Sequence, residues 1–183
     1  MTQALDQLVE LTLDAIELGN PSPIVIIDGR AGSGKSTLAE ALKNRLFKEG
    51  ESLPRVIHMD DLYEGWQGLE SGVDVLQRLI LAPLRAGRTA SWQEWNWFTN
   101  EREKWREFSG GTPLIIEGCG ALNRVSAEHS LIRVWLEVDE SLRFERWVAR
   151  EGSSEHWAEW AAQELEFYAR ERSAELATLV FGS

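Results

Sequence analysis

The sequence predicts an α/β fold in which a parallel sheet of about five strands lies between two layers of helices. Short apolar segments of strand length recur along the chain, and amphipathic segments of helix length separate them. Glycines or acids follow three of these apolar segments directly, as expected where the strands of such a sheet end near a ligand. The predicted strands cover 24–27, 55–59, 113–117, 131–138 and 176–181.

The predicted helices follow from apolar residues at helical spacing among charged ones. A leading helix over 4–18 ends at a turn rich in glycine and proline. The whole chain, 1–183, is predicted to form a single domain, which begins with this leading segment, 1–20. The segment 88–111 has no clean period and predicts a short hairpin or a loop-rich insertion over the ligand site. Further helices are predicted at 37–48, 73–86 with a bend at Pro83, 140–151 and 154–175, and a loop at 65–72.

The first strand leads directly into a glycine-rich loop with the spacing GxxxxGKS and then into a helix. In this context the spacing is the phosphate-binding loop (P-loop) pattern. Glycine permits positive φ and leaves the backbone amides open to an anion at the positive end of the helix. Lys35 is placed to contact the β- and γ-phosphates, and Ser36 to offer its hydroxyl to Mg²⁺. The residues predicted to bind a nucleoside triphosphate are Gly29, Ala31, Gly32, Ser33, Gly34, Lys35, Ser36 and Thr37.

The composition limits the classes of function. A net charge of −11 argues against a nucleic-acid partner, because such a surface repels a polyanion. We expect a cytoplasmic protein without a membrane partner, since no apolar run could span a bilayer and the N-terminus lacks a signal-peptide pattern. The single cysteine, Cys119, excludes an intramolecular disulfide. We interpret it as a small residue packed behind a site loop, with a catalytic thiol as the alternative.

Three acids follow the predicted strands on the same side of the sheet as the P-loop. Asp60 and Asp61 come after the second strand, and Glu117 ends the third. A carboxylate facing the γ-phosphate can orient an attacking hydroxyl and accept its proton, and Asp60 is the stronger candidate of the pair. Ser36, Asp60 and Glu117 are the candidate residues for Mg²⁺. The alternatives are a helix cap for the aspartates and a solvated strand end for Glu117.

Arginines and tryptophans supply the remaining candidates. Arg143, Arg146 and Arg150 are neighbours on one predicted helix, where they can neutralise charge that develops during phosphoryl transfer or pair with nearby acids. His58 is interpreted as structural. The tryptophans that can stack on a ligand, or form a small core beneath a loop, are Trp66, Trp92, Trp95 and Trp97.

Four segments occur in the order found in uridine kinase-like P-loop kinases, and the chain resembles that family over roughly residues 22–181. The segments are Gly29–Thr37, Asp60-Asp-Leu-Tyr63, Ile115-Ile-Glu-Gly118 and the arginine-bearing helix. The resemblance implies the P-loop NTPase fold with strand order 2-3-1-4-5 and a lid helix. The chain departs from the family at 93–100, where Glu94-Trp95 stands for the Asp-Phe of a Tyr-Asp-Phe segment. The His and Arg that follow in uridine kinases are not at their places.

The resemblance also implies roles for single residues. By position, Asp60 resembles the base that orients the acceptor, and Arg146 and Arg150 resemble lid arginines. Together with Lys35 these form the candidate catalytic set. The residues expected to contact the acceptor are Asp60, Tyr63, Trp95 and Glu117.

The function expected from this resemblance is transfer of the γ-phosphate of ATP, or of another nucleoside triphosphate, to a hydroxyl of a small molecule with Mg²⁺. A nucleoside is the expected acceptor. A kinase for a non-nucleoside metabolite and a nucleotide-binding regulatory protein with little turnover are the alternatives. The chain is short for the family, and a homodimer stays open as its assembly.

Overall fold

A five-stranded parallel sheet between two layers of helices forms the protein, whose structure is a computed structural model describing residues 2–182. Met1 and Ser183, the ends of the predicted domain, lie outside the described residues. The strands of the sheet are β1 Ile24–Asp28, β2 Arg55–His58, β5 Leu114–Glu117, β6 Ile132–Glu137 and β7 Leu179–Gly182. Across the sheet they lie in the order β2-β5-β1-β6-β7, and each adjacent pair is parallel. The predicted three-layer α/β class is confirmed.

Helices cover both faces of this sheet. Successive side chains of a strand point to opposite faces, so neighbouring residues of one strand pack against different layers of helices. Val25 and Ile27 of β1 belong to one buried cluster, whereas Ile26 between them belongs to the other. The helices are α1 Thr2–Glu17, α2 Lys35–Lys48, α3 Leu69–Val75, α4 Ala82–Arg85, α5 Arg124–Ala127, α6 Glu140–Glu151, α7 Trp157–Glu171 and α8 Ser173–Leu176. The cluster with Val25 and Ile27 contains side chains of α1 and α2, and the cluster with Ile26 contains side chains of α3, α6 and α7.

The helical region after β2 differs from the prediction at both ends. Helix begins at Leu69, inside the segment 65–72 that was expected to be a loop. A π-helical segment, Leu76–Leu81, connects α3 to α4 in place of a bend at Pro83. Proline cannot donate to the carbonyl four residues earlier, and the wider π turn just before it accommodates this loss.

The segment 88–111 contains the predicted hairpin. Its strands are β3 Ala90–Asn96 and β4 Glu101–Phe108, which pair antiparallel outside the main sheet. The register shifts between Gln93 and Trp95, as in a β-bulge. The extra residue lies on β4, since Glu94 alone separates the two β3 positions whereas Glu103 and Lys104 separate their partners.

The C-terminal end of the described chain confirms the fifth strand, because β7 pairs with β6 along the sheet edge. The helix predicted over 154–175 is divided into α7 and α8 at Arg172, whose φ is 58°. The numbers in the observed order differ from the predicted 2-3-1-4-5. The hairpin strands β3 and β4 lie outside the main sheet but are counted, because they come between β2 and β5 in the chain.

Over residues 2–182, no helix combines the length and the apolar character needed to cross a lipid bilayer.

Asn123 holds the turn that follows β5 and was not among the predicted site residues. Its side chain is 1% exposed. The Oδ1 atom accepts hydrogen bonds from the amides of Val125 at 3.1 Å and Ser126 at 3.0 Å, and Nδ2 donates to the Gly120 carbonyl at 3.1 Å. Asn123 therefore caps α5 and closes the loop that carries Gly118 to the sheet edge.

Replacing Asn123 with alanine is expected to lower the free energy of unfolding by about 1–2 kcal/mol, because the cap is lost and buried backbone groups lose partners. Urea unfolding measures the change. Asn44→Ala is the matched control, since Asn44 is exposed on α2 and alanine favours a helix. Equal effects of the two substitutions would contradict the capping role.

Candidate active site

The P-loop joins β1 to α2 and is pressed closely against β6 and α6. Gly32 has a φ of +80°, and a Cβ built on it would lie 2.4 Å from the Arg143 carbonyl oxygen. Gly29 has a φ of +148°, and its Cβ would lie 2.6 Å from the Leu136 carbonyl oxygen. Both positions therefore require glycine for packing of the loop as well as for its backbone angles.

The amides at the start of α2 are free to bind an anion. Within residues 2–182, the backbone N–H groups of Gly34, Lys35, Ser36 and Thr37 form no hydrogen bond to the protein. These groups lie at the positive end of the helix dipole, and all four residues line one cavity. The arrangement is that of a phosphate site, as the sequence predicted.

Lys35 is buried and folds back over the loop. Its side chain donates to the carbonyl of Gly29 at 2.7 Å and to that of Arg30 at 3.1 Å. Burial alone would lower its pKa, but nearby negative groups, including Glu117, outweigh this effect and raise the pKa of Lys35. The ammonium is therefore held charged at the loop, within reach of a bound phosphate.

A buried glutamate on α7 anchors the first half of the P-loop. Glu164 is fully buried, and its Oε1 accepts a hydrogen bond from the Ala31 amide at 2.6 Å. Its Oε2 accepts one from Nε of Arg30 at 3.1 Å. The Ala31 amide is thereby committed to the protein and is not available to a phosphate.

A second buried carboxylate, Asp28, holds the point where β1 becomes the loop. Its Oδ1 accepts from the Gly29 amide at 2.6 Å and from the Tyr168 hydroxyl at 2.7 Å, and its Oδ2 accepts from the Leu122 amide at 2.7 Å. Burial is the main cause that raises the pKa of Asp28 to about 7. Tyr168 lies one turn after Glu164, so one face of α7 contacts the loop twice.

The predicted acids gather at the ends of β2 and β5. Asp60 and Asp61 belong to a single 3₁₀ turn directly after β2, and Glu117 ends β5 beside it. All three line the cavity. Burial, and then the negative charge of Glu117, raise the pKa of Asp60. Burial and the charge of Glu94 raise the pKa of Asp61.

Glu117 is paired with a histidine on the neighbouring strand. Its carboxylate lies 2.5 Å from Nδ1 of His58, the residue with which it pairs in the parallel register. This hydrogen bond raises the pKa of His58. His58 does not line the cavity, which agrees with a structural role that orients Glu117.

The three arginines of α6 separate into a structural one and two that face the cavity. Arg143 is buried beneath the P-loop, where it donates to the carbonyls of Val138 at 3.0 Å and Ala31 at 3.3 Å. Arg146 and Arg150 are exposed and line the cavity. Arg146 reaches the Gly32 carbonyl at 3.2 Å, and Arg150 pairs with Glu151 at 2.7 Å. The helix therefore brings two cations to the cavity, Arg146 at the P-loop and Arg150 near enough to Asp60 to lower its pKa.

The cavity between the P-loop and the acids has a volume of about 610 Å³, which is large enough for a triphosphate and a small acceptor. Aromatic side chains form the wall farther from the loop. They are Tyr63, Trp66, Trp97, Trp147 and Trp160.

The residues present fit a magnesium ion that is held mainly by phosphates and water. Ser36 is exposed at the start of α2, and over residues 2–182 its hydroxyl has no hydrogen-bond partner. Within that range no cluster of three metal-binding side chains occurs. Mg²⁺ in phosphoryl-transfer sites uses only one or two protein ligands, so Ser36, with Glu117 or Asp60 opposite, is a sufficient set.

Comparison with known families gives the same reading of this loop and cavity. Residues 25–167, most of the chain, match the family described as an AAA domain. The chain belongs to the AAA domain family. No curated protein matches it.

Solved structures share the fold of this AAA domain. One is a possible uridine kinase from Bacillus stearothermophilus, with 21% identity, a TM-score of 0.71 and 98% of each chain covered. Another, provisionally described as a fructose transport system kinase from Silicibacter sp. TM1040, has 23% identity and a TM-score of 0.70, with 97% of this chain and 98% of that one covered. The similarity shows a P-loop kinase-like fold.

Some predicted phosphate contacts of the AAA domain lie beneath the loop instead of facing the cavity. Gly29 and Ser33 do not line it. The Gly29 amide is bound to Asp28, and the Ser33 hydroxyl is buried without a partner among the described residues. Together with the Ala31 amide, these groups shape the loop, and the loop residues that line the cavity are Ala31, Gly32 and those from Gly34 to Thr37.

Trp95, predicted as an acceptor contact, does not line the cavity. Its ring lies beneath the Arg102 guanidinium, 6.0 Å from the ring centroid, after the register shift in the hairpin. Trp97, two residues later, lines the cavity instead and donates from Nε1 to the Asp60 carbonyl at 2.8 Å. The bulge could not be read from the spacing of the tryptophans.

Tyr63 and Cys119 lie in the wall between the acids and the P-loop. Tyr63 is 1% exposed, and its hydroxyl donates to the Cys119 carbonyl at 2.7 Å, so only part of its ring is offered to an acceptor. Burial raises the pKa of the Cys119 thiol well above its usual value. A neutral thiol in this position agrees with packing behind the loop and not with nucleophilic catalysis.

Replacing Glu164 with alanine is expected to weaken nucleotide binding by about tenfold or more, because the Ala31 amide and Arg30 lose their buried partner and the loop loses its fixed shape. Calorimetry with ATP and Mg²⁺ measures the change. Glu166→Ala on the exposed face of the same helix is the control. Unchanged affinity in Glu164→Ala would contradict the anchoring role.

Replacing Asp60 with asparagine is expected to raise the free energy of unfolding more at pH 8 than at pH 5. The raised pKa means that ionisation of Asp60 destabilises the folded protein progressively as the pH increases from the usual aspartate range through that pKa. Asparagine removes this penalty. Urea unfolding at both pH values tests it, with Asp74→Asn at an exposed ion pair as the control. A gain that is the same at both pH values would contradict it.

Proposed function

We propose that this AAA domain is a cytoplasmic kinase that transfers the γ-phosphate of ATP to a hydroxyl of a small molecule in the presence of Mg²⁺. One observation carries the proposal. The free amides of the P-loop and the side chain of Asp60 line the same cavity. A triphosphate held by the amides would therefore present its terminal group toward an acid.

The donor side holds the triphosphate by electrostatics and backbone hydrogen bonds. The amides from Gly34 to Thr37 bind phosphate oxygens, and Lys35 exchanges its loop carbonyls for the β- and γ-phosphates. Mg²⁺ held by Ser36 and the phosphates neutralises negative charge on the donor when it is bound. Arg146 and Arg150 lie where they can stabilise the negative charge on the group in transfer.

The acceptor side positions a hydroxyl and takes its proton. Asp60 is open to the cavity, where desolvation by the surrounding protein and then the charge of Glu117 raise its pKa. Its raised pKa brings it closer to neutral pH, which favours acceptance of a proton as the oxygen–phosphorus bond forms. Most of the rate enhancement in such chemistry comes from positioning and electrostatics, which this arrangement provides.

Asp60 also distinguishes this function from that of a regulatory protein that only binds nucleotide. Ionisation of this residue in the cavity is unfavourable for folding, and binding alone gives no reason to keep it. We therefore favour an enzyme, and expect nucleotide consumption to depend on an acceptor.

Asp60→Asn is expected to bind ATP and Mg²⁺ within about threefold of the unaltered protein and to lose at least about a hundredfold in turnover, because only the acceptor side changes. Lys35→Ala is expected to lose both nucleotide binding and turnover. Calorimetry gives the affinities, and ADP release with a metabolite library gives the rates. Lys43→Ala, on the same helix as Lys35, is the control. Normal turnover of Asp60→Asn would exclude its role as the base.

A further inference from the structure

The charges that line the cavity are unequally divided between its two sides. Four carboxylates and three cations line it. Of the cations, Lys35 and Arg146 contact the P-loop, and Arg150 is paired with Glu151 but also acts on Asp60, whose pKa it lowers. Glu117 is paired with His58. A bound magnesium–ATP complex adds about two further negative charges. The acceptor side therefore has an excess of negative charge.

The proposed phosphotransfer step uses Asp60 and assigns no role to Asp61. Its side chain and that of Asp60 form no hydrogen bond or ion pair within residues 2–182. His58 and Arg106 both lie near enough to Asp61 to lower its pKa, but His58 is bound to Glu117 at 2.5 Å and Arg106 to Glu94 at 2.5 Å. The two aspartates are therefore available to a positively charged group of a ligand.

Two tryptophans form a corner beside these aspartates. The rings of Trp66 and Trp97 have centroids 4.8 Å apart and planes tilted by 55°. Trp97 is fixed by its hydrogen bond to the Asp60 carbonyl, and Trp66 stacks on His156 with a centroid distance of 4.4 Å. Both rings are partly exposed and line the cavity. Tryptophan faces attract organic cations, particularly where a carboxylate is close.

We propose that the acceptor is a cationic amino alcohol, whose hydroxyl lies at Asp60 and whose ammonium lies between Asp61 and the Trp66–Trp97 corner. This inference rests on the proposed function. The acceptor oxygen forms a bond to the γ-phosphorus of ATP, and the bond from that phosphorus to the β–γ bridging oxygen breaks. ADP leaves with the electron pair of that bond, and the hydroxyl proton passes to Asp60.

Charge separates this class from the other candidates. An acidic acceptor would bring a further negative charge against Asp60 and Asp61. A neutral sugar or nucleoside can donate a hydroxyl proton to Asp60, but it leaves Asp61 without an opposite charge in a site that favours one.

The test uses acceptors that share a skeleton and differ in charge: serinol, glycerol and glycerate, and glucosamine, glucose and glucuronate. ADP release with ATP and Mg²⁺ gives kcat/KM, and tryptophan fluorescence gives binding in the presence of a non-hydrolysable ATP analogue. We expect the cation to exceed its neutral counterpart by about tenfold or more in at least one set, with the anion inactive. In Asp61→Asn the cation-to-neutral ratio is expected to fall by about tenfold. The exposed Asp74→Asn, as control, is expected to keep it.

Calorimetry with ATP separates the two proposals. If ATP binds but neutral or anionic members are preferred, or no cationic member binds at millimolar concentration, the amino-alcohol inference is overturned and the proposed kinase stands. Retention of the cation preference in Asp61→Asn also overturns it. Absence of ATP binding refutes the kinase itself, and the inference with it.

Discussion

Anchoring of the P-loop from below by two buried carboxylates is the interaction on which the site depends. Asp28 and Glu164 bind the amides of Gly29 and Ala31, so the first half of the loop is held entirely by the protein. The amides that follow, at the start of α2, are left without protein partners and converge on the cavity. A phosphate site of this kind needs a fixed backbone, because amides that must first be ordered bind an anion less tightly.

This anchoring places α7 in direct contact with the P-loop. Glu164 and Tyr168 lie on one face of α7, and Arg143 of α6 donates to the Ala31 carbonyl from the other side. Arg143 is buried beneath the P-loop, and the two arginines that follow it on α6 line the cavity.

Much of this architecture could be predicted from the sequence, because it depends on local signals. Apolar runs gave the five sheet strands, and the spacing around Lys35 gave the phosphate site. The parallel sheet then required Asp60 and Glu117 to lie near it. The contacts that could not be predicted join residues far apart in the chain or depend on irregular backbone. Ala31 and Glu164 are 133 positions apart, and Trp97, which lines the cavity where Trp95 does not, lies in the turn beyond the end of β3. Asp28, directly before Gly29, was the one anchoring residue that its position could have indicated.

The charges of Asp60 and Asp61 connect catalysis to the choice of acceptor. A carboxylate kept in a cavity without a partner destabilises the folded protein, so Asp60 and Asp61 are unfavourable until a ligand supplies an opposite charge or a hydrogen-bond donor. Asp60 gains a donor from any hydroxyl. Asp61 gains full compensation only from a cation, and the tryptophan corner beside it suits the same kind of group. Catalysis and choice of acceptor would then depend on two adjacent residues of one short turn, each made reactive by its surroundings.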